Sequence, residues 1–126
     1  MTIEQAVYTK LNESPSLASG RIYPVVAPQG ADFPYIVYEK ISGVRQQHLD
    51  SVSHHARPRF RIHTYAKTYA EVKTITNSMR ERLDQFRGTV SGVVIKATTI
   101  ENEVDSFEED NRIYHTALDF FISHYE

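Results

Sequence analysis

Between Arg57 and Gly88 the apolar residues change period once, and that change dictates a strand followed by a helix. Phe60, Ile62 and Thr64 alternate with Arg57, Arg59, Arg61 and His63. A period of two belongs to a half-buried strand, here with a basic outer face. From Val72 the spacing becomes three and four: Val72, Ile75, Met79, Leu83 and Phe86 form one apolar stripe of a helix. Thr68 with Glu71 three places on carries the capping-box pattern at its start. Gly88 is a natural residue for its end. Glu71 early and Arg80, Arg82 and Arg87 late suit the helix dipole. Residues 92–100, rich in Val, Ile and Thr, read as the next strand. Strand, helix and strand then form a crossover, right-handed and with its two strands parallel if they share a sheet.

The remaining segments complete the same plan. Thr2 and Gln5 make a second capping box, and Ile3, Ala6, Val7 and Leu11 share one face, which predicts a helix over 3–12. Ser14-Pro15-Ser16 begins a short turn that Gly20 ends. Ile22 to Val26 reads as a short strand interrupted by Pro24, which argues for a strand end or a sheet edge. Residues 27–34 are a turn region by their Pro and Gly content. Tyr35 to Ser42 is apolar on both sides, as a central strand is. Gly43 to His55 is polar and irregular. The acidic run 101–112 reads as a hairpin tip, and 113–124 returns as the last strand. In it Tyr114, Leu118, Phe120 and Ile122 share one face, and His115, Ala117, Asp119 and Phe121 the other. The expected architecture is α+β. It is a single domain, 1–126, of order α-β-β-β-α-β-β, with one mixed β-sheet and both main helices packed on one face.

Composition removes most chemistry. A chain of 126 residues with 40% hydrophobic content is long and apolar enough to bury a core without staples. It has no cysteine, hence no disulfide, thiolate nucleophile or cysteine-based zinc site. No apolar run approaches the ~20 residues of a membrane span. The N-terminus carries Glu4 and no basic region of the signal-peptide kind, so no membrane association and synthesis in the cytoplasm are expected. Six histidines raise the question of a metal. His54 and His55 are adjacent and point apart on an extended chain, while His63 and His115 lie on strands that can be neighbours. No spacing matches a zinc motif, so no metal site is expected. Neither the nucleophile-elbow pattern nor a phosphate-cradling glycine loop occurs, so no catalytic residue and no cofactor are expected.

Charge is segregated. Arg57, Arg59 and Arg61 form a basic row, and Glu101, Glu103, Asp105, Glu108, Glu109 and Asp110 an acidic one. Arginines at alternate strand positions stand about 6.6–7 Å apart, a loose match to phosphates. Against nucleic-acid binding, the formal net charge is −2 and Tyr65 is the one aromatic on that face close by. The competing reading is a solvent face, or a subunit or partner interface built from Arg57, Arg59, Arg61, Tyr65 and Phe121. Tyr35 and Tyr125 belong to the same sheet face, which the helices leave uncovered.

A set of framework motifs spans nearly the entire chain. They are Ile3-Glu4-Gln5-Ala6-Val7-Tyr8, Gly20-Arg21-Ile22-Tyr23-Pro24, Ala27-Pro28-Gln29-Gly30, Pro34-Tyr35-Ile36-Val37-Tyr38, Tyr69-Ala70-Glu71, Leu83-Asp84 with Gly88, and Leu118-Asp119-Phe120 before His124. In order and spacing this resembles the tail completion (tail terminator, head–tail joining) proteins of long-tailed siphophages and prophages. The resemblance implies a virion protein of the tail–neck junction, assembled in the bacterial host cytoplasm. Such a protein caps the tail tube as a homo-oligomeric ring, commonly a hexamer, and joins tail to head, with tail tube protein and a head-side neck protein as partners. DNA passes through such a ring without specific binding. On that view the acidic residues Glu101, Glu103, Asp105, Glu108, Glu109 and Asp110 line the lumen or a docking loop, and the loop 43–55 is a further candidate. An acidic lumen repels DNA and lets it slide. The basic row and these acids are a candidate pair across a subunit contact, with solvent or separate partners as the equal alternatives, so reversing Arg59 and Arg61 tests it, with compensating reversals at Glu108 and Glu109. The alternatives are a head-side connector or stopper and, from another class, a small enzyme.

Overall fold

A computed structural model describes residues 2–13, 17–42 and 55–125. Both predicted N-caps form, the reciprocal box on the first helix and the hydroxyl half of it on the second. Helix α1 (Ile3–Leu11) opens with a reciprocal box: the Gln5 N–H donates to the Thr2 hydroxyl at 3.2 Å and the Thr2 N–H to the Gln5 amide oxygen at 3.0 Å. Helix α2 (Tyr69–Leu83) opens on Thr68, whose hydroxyl accepts from the Glu71 N–H at 3.2 Å. The buried stripes are those the spacing predicts, Ile3, Ala6, Val7 and Leu11 on α1 and Val72, Ile75, Met79 and Leu83 on α2. The exit of α2 differs from expectation. Asp84 is already extended, Gln85 takes a φ of 58°, and the Gln85 N–H donates to the Thr98 carbonyl at 2.9 Å. This bond ties the chain to the sheet, so Phe86 packs against the core from a turn and Gly88 opens a strand instead of closing the helix.

The strands are β1 (Ile22–Pro24), β2 (Tyr35–Ser42), β3 (His55–Ala56), β4 (Arg59–Ala66), β5 (Gly88–Val90), β6 (Val93–Glu108) and β7 (Ile113–Tyr125). They form one mixed sheet of order β1-β2-β4-β7-β6-β5, with β3 pairing the end of β7. β1 runs parallel to β2, and the other pairs are antiparallel. The architecture is thus the expected α+β sheet with two helices on one face. β4 and β6, joined through α2, run parallel to each other with β7 between them. As expected, Pro24 closes a strand at the sheet edge and β2 lies inside, between β1 and β4. Two short strands, β3 and β5, carry too few residues to show a period. The largest correction concerns the acidic run. Residues 101–108 belong to β6, and the turn of the β6–β7 hairpin holds only 109–112. Acidic residues have low strand propensity, but cross-strand pairing to β7 along the whole segment overrides it. The loop expected over 43–55 lies outside the described residues up to position 54.

Even-numbered residues of β2, β4 and β7 point at the helices. Ile36, Tyr38, Phe60, Ile62, Leu118, Phe120 and Ile122 join the buried stripes of α1 and α2 in one core. Phe60 and Phe120, paired across β4 and β7, stack with ring centres 5.9 Å apart. The odd-numbered residues of the same strands therefore populate the face that carries no helix.

Candidate functional site

Cross-strand register turns those odd positions into three adjoining zones on the helix-free face. At one end Arg61 sits opposite Asp119, and Arg59 opposite Phe121. Asp119 is only 3% exposed. It accepts from Arg59 Nη2 at 2.8 Å, and from Arg61 Nε at 2.8 Å and Nη2 at 3.1 Å. The Arg61 hydrogen bonds hold its carboxyl below the usual range against the opposing effect of burial, and Arg59 adds to this. Arg57 lies 4.0 Å over the ring of Phe121 and, among the described residues, has no carboxylate partner.

In the middle, side chains from four strands form a hydrogen-bonded chain. Glu39 of β2 lies 3.1 Å from His63 Nε2. His63 Nδ1 is 2.8 Å from His115 Nε2, and His115 Nδ1 is 3.0 Å from the Ser106 hydroxyl of β6. All four ring nitrogens are thereby engaged. Burial lowers the proton affinity of His115, neighbouring His63 lowers it further, and Glu108 opposes. Among the described residues no three His, Asp or Glu side chains are grouped to hold a metal ion.

The third zone is aromatic. Tyr65 stacks on His115 with centres 4.6 Å apart and planes 9° apart, and on Tyr35 at 4.9 Å. Phe33 and Tyr23 flank Tyr35 at 5.1 and 6.2 Å. Burial raises the Tyr35 and Tyr65 hydroxyls above their ordinary value. Between this stack and the loop 25–31 runs an open groove of about 580 Å³, floored by Val37, His63 and Tyr65.

The five expected interface residues Arg57, Arg59, Arg61, Tyr65 and Phe121 thus share one face. The six acids do not act together. Glu103 and Asp105 point to the helix side, where Lys73 donates to them at 2.9 and 3.3 Å and Arg80 lies 3.4 Å from Glu103. Thr116 also donates to Asp105, at 3.1 Å. Glu101, Glu108, Glu109 and Asp110 are exposed. Sequence reasoning missed Asp119 as the partner of the arginines, and Glu39 and Ser106 as partners of the histidines. Alternation placed Asp119 and His115 on one face, but only register says what stands opposite them. Among the described residues no helix is long and apolar enough to cross a membrane.

A family model for tail completion protein gp17 matches residues 5–125. No curated protein matches. Among solved structures, a chain of the virion of a native gene transfer agent (GTA) particle superposes with a TM-score of 0.81 at 16% identity. The match covers 98% of this chain and 95% of that chain. At that identity the likeness is one of fold. The family match takes in α1 from Gln5 onward, the whole of α2 and every strand of the sheet, and the family is a structural one of phage tails. The chain belongs to the tail completion protein gp17 family.

Proposed function

We propose that this protein is a tail terminator: a ring, of six copies by preference, that caps the finished tail tube, stops its growth and presents a surface for the head. The observation that carries the reading is the family match over residues 5–125. The fold shared with a virion protein supports it. The helix-free face is the proposed interface. A sheet covered on one side only needs water or a partner on the other, and this one is Tyr-, Phe- and Arg-rich as interfaces are. Ring closure requires head-to-tail contacts, in which two different surfaces of the same chain meet.

Arg57, carried on Phe121 and without a carboxylate among the described residues, is the basic residue best placed to reach a neighbour. Arg59 and Arg61 are committed to Asp119 within the chain, so they shape the face more than they reach across it. Of the acids, Glu101, Glu108, Glu109 and Asp110 remain available to a lumen or docking surface. Tail tube protein on one side and a head-side neck protein on the other are the proposed partners, with DNA passing through.

The test is the mass of the purified protein, alone and mixed with tail tubes, with electron microscopy of the mixture. The expected result is a closed ring of 14.5 kDa chains seated on tube ends. Binding to portal or adaptor rings and not to tubes would move the protein to the head side of the joint. Failure to bind either would overturn the reading.

A further inference from the structure

The histidine chain on the helix-free face has room for one extra proton and no more. An ionised carboxylate only accepts, so Glu39 takes its hydrogen from His63 Nε2. A neutral imidazole carries one N–H, so His63 Nδ1 must accept, and the donor 2.8 Å away is His115 Nε2. His115 Nδ1 then accepts in turn, and Ser106, 3.0 Å away, supplies its hydroxyl hydrogen. Every donor meets an acceptor in a single order, running from Ser106 to Glu39, with both rings in the Nε2–H form.

Adding one proton reverses part of this order without breaking it. With His63 doubly protonated beside Glu39, its Nδ1–H donates to His115 Nε2. His115 moves its own hydrogen to Nδ1, which now donates to the Ser106 oxygen. A second proton has no such arrangement, because it sets N–H against N–H across 2.8 Å and puts two like charges in contact. We propose that Glu39, His63, His115 and Ser106 form a one-proton switch. It carries a single charge on His63 while intact, and it opens when a second proton reaches His115.

The surroundings fit this assignment. Glu39 faces the pair from β2 and Ser106 and Glu108 from β6; Arg61 and Tyr65 flank it on β4, Tyr35 stands beyond Tyr65, and Asp119 is held by the arginines on β7. Lys67 lines the same groove and lies 4.5 Å over the ring of Phe33. The carboxylates nearest the pair are thus at its two ends, and the charge on His63 itself discourages a second proton on His115. His115 is also the ring on which Tyr65 rests. Parting the two imidazoles therefore unseats Tyr65 and, through it, the Tyr35 stack. The switch is a property of the single chain and stands whether or not this face meets a partner.

Long-range proton–nitrogen correlation spectra of the imidazoles, followed from pH 8 to pH 4, test it directly. The expected result at pH 8 is the Nε2–H form for both rings. On acidification His63 takes the first proton while His115 changes to the Nδ1–H form and stays neutral. The second step follows at least about one pH unit lower, as for any strongly interacting pair, and the Tyr65 ring resonances move with that step and not with the first. Ser106→Ala, on an exposed strand position, should leave both the first step and the change of His115 to the Nδ1–H form in place, because a His63 Nδ1–H by itself requires an unprotonated His115 Nε2. His63→Gln should let His115 titrate in a single step, still below the ordinary histidine range because burial remains. Joint protonation of both rings in one step, or a Tyr65 response to the first proton, would overturn the proposal.

Discussion

Asp119 shows how one side chain settles the character of a surface. A carboxylate with 3% exposure is stable in its charged form only because two guanidiniums complete its hydrogen bonds. Its folded-state proton affinity lies below the unfolded one, so pairing stabilises the fold above about pH 4 and the contribution is lost as pH falls through the depressed folded value. Asp119→Asn should therefore lower stability by about 2–3 kcal/mol at pH 7. This is less than the ~3–5 of a fully enclosed pair, because both arginines reach solvent. Urea denaturation across pH 3–7 checks it: the gap between variant and parent should narrow below pH 4. A gap that stays constant across that range would assign the loss to packing and not to charge. The same residue redirects the interface test. Reversing Arg59 and Arg61 removes the partners of a buried acid, so such variants report on folding as much as on assembly.

Among the elements, α2 carries the clearest division between buried and exposed faces. Leu83 is buried in the core and Arg80 lies on the outer flank near Glu103. Leu83→Ala should cost about 2–5 kcal/mol through lost transfer energy and a cavity. Arg80→Ala should cost under ~1 kcal/mol, since its ion pair is half in water. Denaturant midpoints with unchanged slopes are the measurement, and equal losses at both sites would contradict the helical phase. The β6–β7 hairpin behaves differently. Its acidic half is held by β7 along the register and by Lys73 of α2, which bridges Glu103 and Asp105. A strand that looks like a solvated tip by composition is in this way made part of the sheet.

For the whole molecule the decisive asymmetry is that one sheet face carries two helices and the other carries none. Arg57→Glu tests the bare face with the least damage to the chain. Monomer stability should change by no more than ~1 kcal/mol, the loss of the cation–π contact with Phe121, while ring formation or tail capping weakens, most visibly at low salt. Unchanged assembly at low salt would remove Arg57 from the contact. The capped helices, their buried stripes and the strand faces follow from periodicity and caps, because these are set by residues three or four apart, or two apart, along the chain. The parallel relation of β4 and β6 follows from the crossover they flank. Contacts between residues far apart in sequence were not legible beyond the adjacency of His63 and His115 that their strands allow, and that adjacency came without its partners. Asp119 meets Arg59 and Arg61, and His63 meets Glu39 and His115, across 24 to 60 positions. The insertion of β7 between β4 and β6, the exit of α2 at Leu83 and the strand character of 101–108 are of the same kind. Each depends on strand register and on which neighbours are in reach. A one-residue change of register exchanges the two faces of a strand, and local sequence carries no record of that choice.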